Sequence, residues 1–229
     1  MAAEARSTGA GRLTSVLAWT VLLLALWVWG KDLTGGEGSH GVLADGTRGQ
    51  LSDGRLLPPP LEPLGGSATP LRVEIASIGV RADIIPRGVD ADGGVEPPPY
   101  EAPDIAGWYR GGPSPGAEGA ALLVGHVDTE TDRAVFYNLS SMEPGGEVTV
   151  VRSDGSTATF TVEAVEVIDR DDFDPDAVYG AHDARRAELR LITCGGTFDP
   201  DRRSYSANVV VSAYLTATGD VDDAATYQA

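Results

Sequence analysis

One cysteine, Cys194, stands in 229 residues, so no intramolecular disulfide can form and the fold must rest on its core alone. Basic side chains are also scarce: 17 Lys and Arg stand against 34 Asp and Glu, a formal charge of -17. Phosphate binding needs clustered cations, so nucleic acid is excluded as a partner. P-loop, HExxH and paired-cysteine spacings are missing, as is any internal repeat, which removes the usual supports for P-loop nucleotide and zinc chemistry. The acidic run DRDDFDPD from Asp169 lacks the spacing and glycine of an EF-hand, so neither a metal nor a cofactor is expected.

Charge is absent from one further place. Leu13 to Gly30, LTSVLAWTVLLLALWVWG, holds no ionisable side chain and has about the length that spans a hydrocarbon core of roughly 30 Å. Arg6 and Arg12 precede it, which places residues 1–12 in the cytoplasm and sends the rest of the chain outwards. A cleaved signal peptide is the rival reading, but the run is long for one and WVWGKD lacks the small-x-small pattern, so an uncleaved anchor over 13–30 is expected. Residues 31–70 are rich in Gly, Ser, Asp and Pro, including LLPPPLEP and GGSATP, and predict a disordered stalk. His40 falls there, where nothing would hold its geometry. Residues 218–229 read as a disordered acidic tail.

Between them, residues 71–217 recur as short segments of alternating or β-branched character, among them LRVEIASIGV, GEVTVVR, TATFTVEAVEVI and ANVVVSAYLTA. RSDGS between two of these runs predicts a hairpin with a tight primed turn, since Asp-Gly tolerates positive φ. Helical periodicity is confined to short stretches, AVFYNLSS around Asn138 and a turn or two over Asp174 to Gly180. The expected fold class is mostly β, a closed or nearly closed barrel.

Cys194 ends the apolar strand LRLIT and is followed by Gly195 and Gly196, a setting that projects a side chain from a rigid edge beside yielding backbone. A thiol is mostly protonated at neutral pH and needs a basic neighbour. His126 ends a second apolar run, ALLVGH, whereas His182 lies in the polar stretch YGAHDARR, so His126 is the partner that matches a thiol at a strand end. Asp128 could orient His126, but a turn-forming or capping Asp is as well suited there, and it is left out of the catalytic set.

The Cys of LITC after a strand, the upstream Gly-His followed by Asp and Thr, and the apolar anchor together resemble the sortases, over about Leu71 to Ala217. TCGGTFD and the later YSANVVV look most like the actinobacterial class F, with class E as neighbour. The resemblance implies an eight-stranded β-barrel. It implies a cysteine transpeptidase whose thiolate attacks the Thr-Gly carbonyl of an LPxTG-like sorting signal on a surface protein or pilin, and an amine of cell wall or pilin that resolves the thioacyl-enzyme. His126 would be its acid and base. The family also uses an arginine near the strand after the Cys. Here Ser206, Ala207 and Asn208 stand where better-known sortases carry it, so the expectation moves to the loop FDPDRRSY: Arg203, with Arg202 as fallback.

Overall fold

The computed structural model describes residues 51, 54–66, 68–90 and 93–221. The predicted anchor 13–30 and most of the acidic tail lie outside them. Among the described residues, no helix is long and apolar enough to cross a membrane.

Eight strands close into a barrel: β1 (Pro70–Ile75), β2 (Val80–Arg87), β3 (Ala106–Tyr109), β4 (Gly119–Val124), β5 (Glu147–Arg152), β6 (Ser156–Asp169), β7 (Ala187–Asp199) and β8 (Ser204–Asp220). Their order around the barrel is β1-β2-β3-β4-β7-β8-β6-β5. The pairs β2/β3 and β4/β7 are parallel and the others antiparallel. Closure leaves no open sheet edge, so the expected mostly-β closed barrel is what forms.

Alternation along each strand decides what fills the barrel. Leu123 of β4, Leu189 and Leu191 of β7 and Val209 and Val211 of β8 belong to the main interior cluster with Phe136, Phe160 and Leu215. Their neighbours Val124, Ile192 and Val210 point to the other face and form a second cluster with Val178. Val95, from the β2–β3 connection, packs against that second cluster together with Ile168 of β6 and with Phe173 and Tyr179 of the β6–β7 connection. Both faces of β4 are therefore covered, which is why ALLV reads as an unbroken apolar stretch rather than an alternating one.

The β6–β7 connection carries the one α-helix of the described residues, α1 (Pro175–Tyr179), whose amino end is capped by the Asp174 carboxylate accepting from the Asp176 N–H at 3.0 Å. It is held down by a buried ion pair on β7. Arg190 Nη2 lies 2.6 Å from Glu188 Oε2, with both side chains 1% exposed, and it also donates to the Gly180 carbonyl at 2.9 Å. Glu188 accepts from the backbone N–H groups of His182 and Asp183 at 2.9 and 3.0 Å. Burial alone would raise the Glu188 carboxyl, but those two N–H groups and the guanidinium outweigh it and hold it below the ordinary carboxylate value.

Breaking one half of such a pair strands a buried charge, so Arg190→Met is expected to lower the free energy of unfolding by about 3–5 kcal/mol, read as a fall in the urea midpoint. Adding Glu188→Leu should recover much of that loss. Because the folded carboxyl titrates below its unfolded value, its contribution is complete above the ordinary carboxylate range and disappears as pH falls through the folded value. The stability gap between wild type and Glu188→Gln should accordingly narrow in acid.

Two expectations need correction. The β5/β6 hairpin forms, with Val151 opposite Thr157, but its turn is not the primed type. Gly155 alone takes positive φ, at 85°, while Asp154 does not and instead uses its carboxylate to accept from the Ser156 N–H at 3.1 Å. Three residues connect the strands, and the side-chain bond makes the second positive φ unnecessary. Likewise the carboxyl-terminal part of the predicted stalk lies on the barrel. Leu61 N–H donates to the Leu215 carbonyl at 2.9 Å, Leu64 N–H to Gly116 at 2.7 Å, and Tyr214 O–H to Pro58 at 2.7 Å, while Leu57 is buried. Proline-rich chain has few donors of its own and is well suited to lie extended along such a surface.

Around Asn138 the chain makes only a 3-10 turn, Leu139–Ser141, that buries Leu139. Strand β8 continues to Asp220, three residues beyond the expected end of the domain, by pairing with the start of β6 at Ser156.

Candidate active site

Parallel pairing of β4 with β7 sets the geometry. Ala120 lies opposite Glu188 and the register continues without a break to Val124 opposite Ile192. Beyond the named strand the ladder holds one step further, where Gly125 N–H donates to the Ile192 carbonyl at 3.1 Å. His126 and Cys194 each lie two residues past the pair Val124–Ile192, in the same phase of the pleat; His126 follows the end of β4, whereas β7 does not end at Cys194 as expected but runs on to Asp199, paired with β8. That phase is the one of Val124 and Ile192, so the nucleophile and its partner continue the outer apolar cluster, walled by the β2–β3 and β6–β7 connections.

Cys194 is exposed. Although its side chain reaches solvent, the surrounding walls desolvate a thiolate there and push the thiol above its ordinary value; the Arg170 charge pulls it down and the Asp128 charge pushes it up. A thiol pushed in that direction needs a base in reach at the moment of attack.

His126 is buried, its Nε2 lying 2.7 Å from the Pro98 carbonyl, with the Tyr100 ring stacked on the imidazole at 4.1 Å between centroids. The His126 carbonyl accepts from the Phe136 N–H at 3.0 Å, tying this strand end to the core.

Asp128 does not contact His126 through any of its hydrogen bonds. Its carboxylate accepts from the Tyr205 hydroxyl instead, and this holds the Tyr205 phenol up at about 12. Tyr205 therefore remains a donor at any working pH, and it clips the segment after His126 to the start of β8.

The loop arginines lie at the rim. Arg203, at positive φ of 49°, pairs with Glu130 at 3.8 Å, the two side chains being 83% and 90% exposed. Arg202 pairs with Asp199 at 3.7 Å. Directly opposite Cys194 in the β7/β8 ladder stands Asn208, which pairs on its other side with Ile168 of β6. Arg170, two residues beyond Ile168, opens the 3-10 turn Arg170–Asp172. Residue patterns singled out Cys194, His126 and Arg203; they missed Arg170, Tyr205, Tyr100 and the Pro98 carbonyl. His182 stands half-exposed with Nδ1 3.9 Å from Glu163 Oε2, away from these groups in the β6–β7 connection.

A thiol on β7 and an imidazole just past β4, carried in register by two paired parallel strands of a closed eight-stranded barrel, are the groups that cysteine acyl transfer needs. A family model described as Sortase domain matches residues 73–216. The chain belongs to the sortase family, whose members are cysteine transpeptidases acting on surface proteins and pilins that bear sorting signals.

Solved structures agree on the fold. Sortase A from Corynebacterium diphtheriae, as a lid mutant, aligns with a TM-score of 0.50 at 19% identity, over 67% of this chain and 73% of that one. Sortase A of Listeria monocytogenes gives 0.50 at 16% identity, over 68% and 92%. Sortase C1 of GBS Pilus Island 1 gives 0.50 at 18% identity, over 68% and 67%. Among curated protein sequences there is no match.

Proposed function

We propose that this chain is a membrane-anchored, extracytoplasmic transpeptidase of the class F type, with class E as the neighbouring possibility. It cleaves an LPxTG-like sorting signal between Thr and Gly and joins the new carboxyl end to an amine of the cell envelope. The observation that carries this reading is the unbroken β4/β7 register, which delivers His126 and Cys194 to one edge. The charge-free run Leu13 to Gly30 supports the anchor.

Cys194 loses its proton to His126 and its sulfur attacks the threonine carbonyl carbon. The tetrahedral oxyanion collapses, the C–N bond breaks, and imidazolium returns the proton to the departing glycine amine. In the second half the incoming amine gives its proton to His126 and displaces the sulfur.

The cation of the site is assigned to Arg203, whose rim pair with Glu130 is too exposed to hold it back from substrate. Arg203→Ala is expected to lower kcat/KM at least tenfold, roughly 1.4 kcal/mol, with the fold intact. A second reading gives the role to Arg170, favoured by its charge acting on the Cys194 thiol. Full activity in Arg203→Ala together with a tenfold loss in Arg170→Ala would move the assignment to Arg170.

The test of the function is mass spectrometry of the full chain incubated with LPxTG-type and LAxTG-type peptides, with and without an amine acceptor. A thioacyl adduct on Cys194 that converts to a peptide-amine product is expected. Adduct that yields only free acid in the presence of amine would make the protein a cysteine endopeptidase. With Asn208 where an arginine would stand, absence of any adduct while the thiol still alkylates would point to a binding or scaffold module on the sortase fold.

A further inference from the structure

The contacts on His126 come from a part of the chain far from either catalytic strand. Pro98 and Tyr100 lie in the β2–β3 connection, 28 residues before His126 in the case of Pro98. A carbonyl oxygen accepts only, so the ring nitrogen 2.7 Å from it must bear the hydrogen: Nε2–H donates to the Pro98 carbonyl. In the neutral imidazole Nδ1 is then the lone-pair nitrogen. The Tyr100 ring lies against the imidazole face with 20° between planes, which opposes rotation of the ring about its Cβ–Cγ bond. Tyr100 itself is 65% exposed, so its placement is not explained by burial of its own surface.

We propose that the Pro98–Tyr100 segment is a clamp that fixes the tautomer and orientation of His126, making Nδ1 the nitrogen that exchanges protons with Cys194 and with the leaving and incoming amines, with Tyr100 as a positioning residue. This rests on the reading of His126 as acid and base. When Cys194 attacks, the S–H proton goes to Nδ1, and the imidazolium so formed keeps Nε2–H on the Pro98 carbonyl. Delivery of the Nδ1 proton to the glycine nitrogen as the C–N bond breaks restores the starting tautomer. The carbonyl stabilises the positive ring throughout without itself gaining or losing a proton, the part that an acceptor on the far nitrogen plays in hydrolytic triads. Asp128, committed to Tyr205, is not available for that part.

The test uses the full chain labelled with 15N-histidine. The three histidines are distinguished through His40→Gln and His182→Gln, and the ring nitrogens of His126 are read by long-range 15N–1H correlation in alkaline buffer. The expected result is the Nε2–H tautomer in wild type and a mixed population in Tyr100→Ala. Transpeptidation by Tyr100→Ala should show kcat reduced about tenfold with KM changed less than threefold, and Tyr100→Phe, which keeps the ring, should restore both the tautomer and kcat. Nδ1–H as the main wild-type form, or an unaltered kcat in Tyr100→Ala, overturns the clamp. Failure of the underlying reading looks different: full activity in His126→Ala would remove the catalytic role while leaving the tautomer measurement as it stands.

Discussion

Cys194→Ala is expected to abolish thioacyl formation and transpeptidation alike while leaving the unfolding transition of the barrel within about 0.5 kcal/mol of wild type. The loss of activity comes from covalent chemistry: without sulfur there is no acyl carrier, and amine attack on an unactivated peptide must cross the full barrier. The fold should survive because Cys194 is exposed and sits beyond the last residue of β7 that packs in either apolar cluster. Wild-type alkylation by iodoacetamide supplies the companion measurement. Desolvation holds the thiol above its ordinary value, so the rate should climb with pH to a midpoint above that of free cysteine. Arg170→Ala should shift that midpoint higher still, since the guanidinium charge favours the thiolate. A midpoint below neutrality would mean a resident ion pair, and proton transfer during attack would no longer be needed.

His126→Ala is expected to reduce kcat/KM by at least a thousandfold, nearly the loss from Cys194→Ala, because the thiol then has no base and the departing amine no acid. A general acid-base contribution alone is on the order of 10²–10⁴, and here one imidazole serves both halves of the reaction. The variant should still react with iodoacetamide at high pH, which separates loss of the base from loss of the thiol. Retention of a tenth of wild-type turnover would transfer the acid-base role to another group, and Tyr205, held as a neutral phenol beside Asp128, is the donor on hand.

Both largest effects concern residues that can be singled out by reading along the chain, because each follows directly on an apolar run, although β7 itself continues past Cys194 to Asp199. ALLVGH and LRLITC need no tertiary knowledge to be seen as strand-forming runs that lead into a reactive side chain. The β5/β6 hairpin is legible for the same reason: its partners adjoin in sequence and its turn residues lie between them. The details escape where a side-chain hydrogen bond substitutes for a backbone preference, as Asp154 does at the turn. The proline-rich segment before β1 is not legible, because extended chain without periodicity looks the same whether it is solvated or laid along a barrel. Only partners supplied by Leu215 and Gly116, residues 154 and 52 positions away from those they bind, make the difference.

The residues around the catalytic pair are illegible on similar grounds. Tyr205 and Asp128 are 77 residues apart, and either one read alone is a surface polar group in a turn. Glu188 and Arg190 alternate with leucines in β7 and read as the solvated face of a strand, yet the β6–β7 connection folds over them and makes them a buried, fully engaged pair.

Local pattern therefore determined by itself that the chain is mostly β and that its single thiol and one of its imidazoles each follow directly on an apolar run. Those properties depend on side-chain period and on the chemistry of single residues, both of which are written consecutively. Tertiary structure alone decided which face of β7 presents the thiol, that Asn208 pairs directly across from it, that Asp128 answers to Tyr205, and that the Pro98 carbonyl and Tyr100 ring hold His126. Each of these arises where barrel closure brings distant segments to one edge, and a burial environment formed by several connections cannot be read from any one of them.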